Sequence, residues 1–275
     1  IWHPGEWDEA KCLVMEYLDG ETLTERLKRQ PNGLPWHEVK TIFEQCLAGL
    51  IFARDRAIIH RDIKPSNIFI TKSGAVKLFD FDIARREDDS QASTAGWKGT
   101  FDYMAPDFVA VHDFHGDEIS DVFSLGVCLY QAITGRLPFE PLGESAHIGY
   151  LNRWRSTQPP AEPSFRPGVF RVLAYAKTFL SKSLSPNREA RYKTFSEMQG
   201  DFQQIHYRKI APKGKDEYEL LAVLGRGGFG ELFQGRRLRD GAIVAIKHLF
   251  AEKQIERFVK EAKILQRTTH PHVVQ

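Results

Sequence analysis

Residues 60–67 read HRDIKPSN, and this stretch decides how the rest of the chain is interpreted. A carboxylate at Asp62 is followed by a cation at Lys64 and by a neutral amide at Asn67. Asp62 could accept or orient a hydroxyl proton, Lys64 could neutralise a transferring phosphoryl group, and Asn67 offers an amide oxygen to a divalent cation. Pro65 and the apolar flanks favour a strand–loop–strand frame over a polar turn in which Asp62 merely caps backbone amides.

A second acidic residue follows the next apolar run. Residues 76–81 read VKLFDF, which places Asp80 at the end of a short strand with Phe81 beside it as an apolar plug. A carboxylate in this position is suited to bridging Mg²⁺ between phosphate groups, because hard cations prefer oxygen ligands.

A glycine-rich stretch lies near the other end of the chain. Residues 224–232 read LGRGGFGEL and contain the spacing G-x-G-x-x-G at Gly225, Gly227 and Gly230. Glycine lets backbone N–H groups approach phosphate oxygens closely, although a glycine-rich hairpin turn is the simpler alternative. A dinucleotide-binding motif would need a helix directly after the third glycine, and the sequence continues instead as a strand.

A lysine and a glutamate follow this glycine stretch. Lys247 ends the apolar strand pattern VAIK at 244–247, and Glu261 lies on the apolar face of a helical pattern over 252–265. A strand lysine paired with a helix glutamate would fix a cation against two phosphates. The alternative is an edge lysine whose ammonium simply reaches solvent.

Taken together, these motifs resemble the eukaryotic-like serine/threonine protein kinases, and bacterial members most closely. Lys64 two residues after Asp62, together with Thr100, is the serine/threonine-type pattern. Other segments that carry the resemblance are a hinge-like MEYL at 15–18, GT at 99–100, APD at 105–107, DVFSLG at 121–126, Arg191 as a partner for Asp107, and NREARYKTFSEM at 187–198. The resemblance extends over nearly the whole chain.

The resemblance implies an ATP-dependent enzyme that phosphorylates serine and threonine hydroxyls of proteins, with ATP and Mg²⁺ or Mn²⁺ as cofactors. The implied catalytic residues are Asp62, Lys64, Asn67, Lys247 and Glu261, and the implied metal ligands are Asn67 and Asp80. The residues implied to contact the nucleotide are Leu224, Gly225, Gly227, Gly230, Leu232, Ala245, Lys247, Met15, Glu16 and Leu18.

The implied fold is α+β and two-lobed, with a small antiparallel β-sheet lobe that carries one key helix and a larger, mainly α-helical lobe. The glycine loop, lysine and glutamate come last in this chain, whereas they come first in the family. We therefore interpret the sequence as a circularly permuted kinase domain, with two clipped domains in tandem as the alternative. In the permuted order, 1–18 end the small lobe, 19–205 form the large lobe, 206–216 form a linker and 217–275 begin the small lobe.

The linker limits how the two lobes could meet. Residues 206–216 are basic, lack apolar periodicity and could span at most about 40 Å when fully extended. That length is tight for a closed monomer, so a dimer in which two chains exchange lobes is the other arrangement we consider.

Apolar spacing predicts the regular elements. Helical spacing covers 37–53, 121–134, 169–184 and 194–205, and strand-like runs cover 11–17, 218–224 and 242–249.

Two departures from the family and one polar segment bear on activity. Asp107 stands where the family has glutamate, and although it is one methylene shorter we expect it to reach Arg191. Asp82 stands where the family has glycine, so we expect retained activity but a segment that flips less readily. This residue also leaves open a catalytically weak or inactive nucleotide-binding scaffold, and phosphotransfer to a small molecule is a further alternative. Within the implied activation segment, Thr94 is the first candidate for autophosphorylation, ahead of Ser90 and Ser93, unless the segment is only a solvated loop.

Net charge and cysteine spacing limit the classes of partner and the cellular compartment that we expect for this protein. Among 275 residues, 38 basic and 36 acidic side chains leave a net charge of +2, which argues against nucleic acid or a membrane as a partner held by bulk charge. The three cysteines have no metal-type spacing and predict reduced thiols in a cytoplasmic protein. The expected partner is a protein substrate.

Overall fold

The computed structural model describes residues 3–7, 10–81, 101–110, 116–139, 149, 154, 172–211, 216–227 and 230–249. Its helices are α1 (Leu23–Arg29), α2 (Trp36–Arg54), α3 (Asp107–Ala110), α4 (Glu118–Thr134), α5 (Ala176–Ser183) and α6 (Phe195–Phe202). Its strands are β1 (His3–Trp7), β2 (Ala10–Val14), β3 (Gly20–Thr22), β4 (Ile68–Thr71), β5 (Val76–Leu78), β6 (Leu173–Ala174), β7 (His206–Tyr207), β8 (Lys209–Ile210), β9 (Tyr218–Gly227), β10 (Gly230–Arg237) and β11 (Ile243–Leu249).

The chain divides into two compact units, one of Ile1–Phe165 with Thr178–Gln203 and one of Arg166–Lys177 with Gln204–Gln275. The first is mainly helical, and the second holds a four-stranded antiparallel sheet in the order β11-β10-β9-β8. A mainly helical unit and a small antiparallel sheet agree with the predicted α+β composition. The key helix predicted over 252–265 lies outside the described residues.

Helix α4 is the centre of the first unit. All of its residues from 120 to 130 are buried, so neighbouring elements cover it on every side. It begins at Asp117, which accepts the Ser120 N–H in a capping box, and ends at Gly135 in the left-handed region at φ 71°. Buried aromatic rings pack nearby, including Trp36 against Phe202 at 5.6 Å between centroids.

A β-hairpin directly follows the loop formed by residues 60–67. Strands β4 and β5 pair antiparallel with Ile68 opposite Leu78, and β3 pairs along the other side of β4. Asn67 directly precedes β4 and Asp80 lies two residues beyond the end of β5, so the hairpin brings both to the same end of the sheet. The Phe79 N–H donates to the Asn67 carbonyl at 3.3 Å and extends the pairing in that direction.

Most predicted elements are confirmed, with some corrected boundaries. Helices α2, α4 and α6 match three of the four helical patterns. The pattern over 169–184 is wrong at its start, because Tyr175 is left-handed at φ 64° and the two residues before it pair with β7 as a strand. The strand predicted over 11–17 ends at Val14.

The predicted linker contains regular structure. Strand β7 pairs with β6, and β8 adds to the edge of the four-stranded sheet through Lys209 opposite Glu219. Only 212–215 in this segment lie outside the described residues, so its connecting role stays a prediction.

Two of the three cysteines are free thiols, as the sequence predicted. Cys46 and Cys128 are both buried and free, and the side chain of Cys12 lies outside the described part. Within the described ranges, no helix is long and apolar enough to cross a bilayer.

Candidate active site

The carboxylate of Asp62 is the centre of a tight polar cluster. The Asn67 amide donates to Asp62 Oδ2 at 3.0 Å and to the Asp62 carbonyl at 2.9 Å. Lys64 Nζ lies 2.7 Å from the same Oδ2. Pro65 begins a 3₁₀ turn that ends at Asn67, so the turn folds the amide back onto the carboxylate. The three residues that the sequence singled out are therefore brought together, and the Asp62 side chain is still 40% exposed.

A buried carboxylate holds the start of this loop. Asp121 on α4 is 1% exposed and accepts the backbone N–H groups of His60 at 2.9 Å and Arg61 at 3.0 Å. Burial raises the pKa of Asp121 to about 7, against the lowering effect of these hydrogen bonds. The two bonds also stabilise Arg61 in a left-handed conformation at φ 65°. The sequence placed Asp121 at the start of a helical pattern but did not identify it as the anchor of the loop.

Two rings pack behind the cluster. His60 is 1% exposed and stacks on Phe81 with centroids 4.3 Å apart, which places an apolar contact next to Asp80. Burial lowers the pKa of His60, so the neutral ring is favoured. Phe81 thus has the plug position predicted for it.

The predicted metal ligands fit an oxygen-ligated cation. The Asn67 amide nitrogen donates to Asp62, so the atom able to ligate a cation is its Oδ1, which also accepts a 3.4 Å hydrogen bond from the Ser66 hydroxyl. Asp80 is exposed and left-handed at φ 56°, just beyond β5. One carboxylate and one amide suit Mg²⁺, which commonly takes few protein ligands and completes its shell with phosphates and water. Among the described residues, no group of three or more histidine, cysteine, aspartate or glutamate side chains could hold a metal by itself.

The predicted pair between Asp107 and Arg191 is present and buried. Arg191 Nη1 lies 2.5 Å from Asp107 Oδ2, and the two side chains are 0% and 4% exposed. Asp107 therefore reaches the arginine despite being one methylene shorter than glutamate. Arg191 also donates to the Ser185 carbonyl at 2.6 Å, which fixes its position.

The hinge-like residues follow β2 in an open segment. Met15 is 58% exposed, and Glu16 pairs with Lys77 on β5 at 3.0 Å. Leu18 is half-buried. Their contact with a nucleotide stays a prediction.

The second unit presents three of its predicted nucleotide residues on one face of its sheet. Leu232 on β10 lies directly opposite Lys247 on β11, and Ala245 is two residues from Lys247 on the same face. All three are exposed, as is Leu224 on β9.

The glycines of this unit differ in their surroundings. A Cβ on Gly230 would lie 2.3 Å from the His248 carbonyl, so the close approach of β11 excludes any side chain there. A Cβ on Gly225 would meet open space, so that position is not fixed by packing. Gly227 ends β9.

Several predicted residues lie outside the described part. They are Glu261, Asp82, Ser90, Ser93, Thr94, Gly99 and Thr100. Their roles stay predictions.

Comparison with known proteins gives two matches along the chain. The family model described as protein kinase domain matches residues 5–202, and the model described as protein tyrosine and serine/threonine kinase matches residues 218–275. The two matches occupy different stretches, and the one that includes the glycine-rich residues comes second.

Several curated proteins similar to this chain are bacterial serine/threonine kinases. Serine/threonine-protein kinase PknB of Mycobacterium leprae is 36% identical over 228 residues, which covers 79% of this chain and 35% of that protein. PknB of Mycobacterium tuberculosis is 37% identical, with 77% and 33% covered. Serine/threonine-protein kinase PknA of the same species is 37% identical over 158 residues, with 57% and 36% covered. The chain spans about a third of the length of these relatives.

Proposed function

This chain belongs to the protein kinase family, and from that premise we propose that it transfers the γ-phosphoryl group of ATP to serine and threonine hydroxyls of proteins. The observation that carries the proposal is the Asp62 carboxylate, held by Asn67 at 3.0 Å and by Lys64 at 2.7 Å while still open to solvent. The names of the relatives support the serine/threonine class.

We propose that Asp62 orients the substrate hydroxyl and accepts its proton. The Asn67 amide fixes the direction of the carboxylate, because it holds both the side chain and the backbone carbonyl of Asp62. Lys64, on the same carboxylate, would balance negative charge on the phosphoryl group during transfer.

Asn67 and Asp80 would hold Mg²⁺ or Mn²⁺. The cation, when bound, would neutralise charge on the phosphates of ATP. Asn67 is suited to this because its amide nitrogen donates to Asp62. That hydrogen bond fixes the orientation of the amide, so the amide oxygen would serve as the metal ligand. His60 and Phe81 would support Asp80 from behind through their stacked rings.

We propose that the nucleotide contacts the exposed face formed by Leu232, Ala245 and Lys247. The two apolar side chains would cover the adenine, and the ammonium would pair with α- and β-phosphates, oriented by Glu261. The glycines at 225, 227 and 230 would lie over the phosphates, and Leu224 would add apolar contact. Met15, Glu16 and Leu18 would complete the adenine site from the hinge.

We propose further that both matched segments serve one catalytic site, as a kinase domain in circularly permuted order. The complementary motif sets support this: Lys247 and the glycines are supplied by one segment, and Asp62 and Asp80 by the other. Two kinase domains in tandem, each present in part, would give the same order and would predict no shared site.

Arg61 and the hydroxyl residues at 90–94 of the sequence lead us to propose self-phosphorylation. Its Nε donates to the Gly116 carbonyl at 3.3 Å, which holds the side chain on the side of helix α4. We propose that a phosphate on Thr94, or on Ser90 or Ser93, would pair with this arginine.

The test is transfer of labelled phosphate from ATP and Mg²⁺ to a generic basic protein. We expect transfer by the wild type, and loss by at least about a hundredfold in Asp62→Asn, with Lys72→Met as an exposed control. Mass spectrometry of the incubated protein would locate any phosphate at 90–94. No transfer from a folded wild type that still binds ATP would instead support the nucleotide-binding scaffold.

Lys247→Met tests the shared site. Loss of activity in this variant would support one site that uses both segments, whereas unchanged activity would contradict it. Mixing inactive Asp62→Asn with inactive Lys247→Met distinguishes the two arrangements: recovered activity indicates lobes exchanged between two chains, and persistent inactivity indicates a site within one chain.

A further inference from the structure

A cluster of four charged residues lies beside the loop but outside the residues assigned to chemistry. Its members are Asp107, Asp117, Arg188 and Arg191. The pair of Asp107 with Arg191 was predicted from the sequence, whereas the part of Arg188 and Asp117 was not.

Arg188 joins two acidic residues that are distant in sequence. Its Nη1 donates to Asp117 Oδ1 at 3.0 Å, and its Nη2 donates to Asp117 Oδ2, so the guanidinium grips the carboxylate with two parallel bonds. The same Nη1 lies 3.7 Å from Asp107 Oδ1. The bidentate contact raises the pKa of Arg188 above its ordinary value.

Asp107 is placed between two arginines. Its carboxylate is 4% exposed, with Arg191 at Oδ2 and Arg188 near Oδ1. A buried carboxylate needs compensating charge on each oxygen to avoid a large desolvation cost, and the two arginines provide it. Arg191 is itself fully buried and fixed by carbonyl groups, so Arg188, at 27% exposed, is the partner that connects this pair to its surroundings.

Asp117 connects Arg188 to the catalytic loop. It caps α4 by accepting the Ser120 N–H at 3.1 Å, and its carbonyl accepts the N–H of Asp121 at 3.0 Å. Asp121 in turn holds the backbone of His60 and Arg61. Arg188 therefore binds the N-terminal end of α4. The next turn of that helix carries Asp121, which holds His60 and Arg61, the two residues before Asp62.

Asp107 connects Arg188 to the segment formed by residues 101–107, which it ends. Residues 101–107 pack on α4, where the Tyr103 hydroxyl donates to Gln131 at 2.6 Å. The ring of Phe108 and the side chain of Arg61 both lie within 3.3 Å of where a Cβ on Gly116 would stand, so the residue that follows this segment lies near the start of the loop. A shift of these residues would therefore change the surroundings of the loop that carries Asp62.

We propose that Arg188 is a positioning residue that fixes residues 101–107 against the catalytic loop, and so determines how a protein substrate is held for transfer. The proposal rests on the kinase function proposed above. Lysine cannot replace Arg188, because a single ammonium cannot form the fork on Asp117 while it faces Asp107.

The experiment compares Arg188→Ala and Arg188→Lys with Lys40→Ala, which removes an exposed pair on α2. We expect the KM for a protein substrate to rise about tenfold or more in both Arg188 variants, since hydrogen bonds to charged groups are worth roughly 1.5–3 kcal/mol. The KM for ATP should change by less than about twofold, because the four residues of the cluster are not among those proposed to bind the nucleotide. Asp117→Asn, which keeps a capping side chain, should give a similar rise and little more in combination with Arg188→Ala.

Hydrogen–deuterium exchange is the second readout and does not require activity. We expect faster exchange in peptides covering 101–108 and 60–67 in the Arg188 variants, and unchanged exchange in Lys40→Ala. Unchanged exchange in 101–108 would overturn the positioning role, as would equal changes in the KM values for protein and ATP. An inactive wild type would refute the proposed function. If the Arg188 variants still showed the expected faster exchange, the role of Arg188 in positioning residues 101–107 would stand.

Discussion

Asp121 accepts the backbone N–H of Arg61 at 3.0 Å, so a buried carboxylate on α4 joins the central helix to the catalytic loop. The carboxylate is buried, and its charge is compensated by the backbone N–H groups of His60 and Arg61 and by the Arg61 guanidinium. Asp117, one turn earlier, opposes ionisation, whereas Arg61 favours it. The contact therefore couples protonation of one side chain to the placement of the loop.

The stability of the protein should depend on pH through Asp121. Burial raises its pKa from 3.8 to about 7, so between these values the folded state binds a proton that the unfolded chain has released. Asp121 therefore makes the free energy of unfolding fall as pH rises from about 4 to about 7. The difference between wild type and Asp121→Asn should shrink over this range by at most a few kcal/mol, at about 1.4 kcal/mol per pKa unit. Urea unfolding of both proteins at several pH values measures it, and parallel curves would contradict the assignment.

Breaking the buried pair should destabilise the first unit strongly. Arg191→Met leaves Asp107 at 4% exposed without its main partner, which should cost about 3–5 kcal/mol of unfolding free energy. The double variant Arg191→Met with Asp107→Leu should recover much of the loss, because no buried charge remains. Chemical denaturation provides the values. A double variant no more stable than Arg191→Met would show that the cost arises from packing.

Two left-handed glycines should differ in their tolerance of alanine. A Cβ on Gly135 would lie 2.0 Å from the Pro31 carbonyl, whereas a Cβ on Gly74 would meet open space. Gly74→Ala should cost only the backbone term of about 1–2 kcal/mol, and Gly135→Ala should cost clearly more because backbone must move. Thermal unfolding of the two variants tests this, and equal melting temperatures would be inconsistent with the tight contact at Gly135.

Lys64→Met should lower kcat more than it changes the KM for ATP. The ammonium lies 2.7 Å from Asp62 and would stabilise charge that develops only in the transition state. We expect a fall of about a hundredfold, and Lys72→Met, whose exposed ammonium pairs with Asp19 at 3.0 Å, serves as the control. A rise in the KM for ATP at constant kcat would assign Lys64 to nucleotide binding instead.

Sequence patterns predicted the elements whose signal is local. Residues 37–53 and 121–134 are helical as their spacing indicates, and the cluster at Asp62 follows from a short loop with proline at its turn. Strand β8 could not be predicted, because a two-residue strand in a basic segment has no periodicity and forms only by pairing with β9. Tyr175 broke a helical pattern through a left-handed backbone that few non-glycine residues adopt.

The residues missed in the site are those that act over long sequence distances. The fork of Arg188 on Asp117 joins positions 71 residues apart, and the anchor at Asp121 reaches 60 residues back to Arg61. A capping pattern, aspartate followed three residues later by serine, was the one local signal for Asp117. The resemblance to the family singled out Arg191, but no local sequence pattern identified a role for Arg188.

Arg61 and Asp80 both hold a backbone conformation that costs non-glycine residues about 1–3 kcal/mol, and they flank the residues proposed for chemistry. That stored cost makes the catalytic centre the first region expected to loosen on warming, before the helices around it. Heat inactivation should therefore begin several degrees below the loss of far-ultraviolet circular dichroism. The lifetime of the enzyme at elevated temperature would then depend on the backbone φ angles of Arg61 and Asp80 more than on the hydrophobic core.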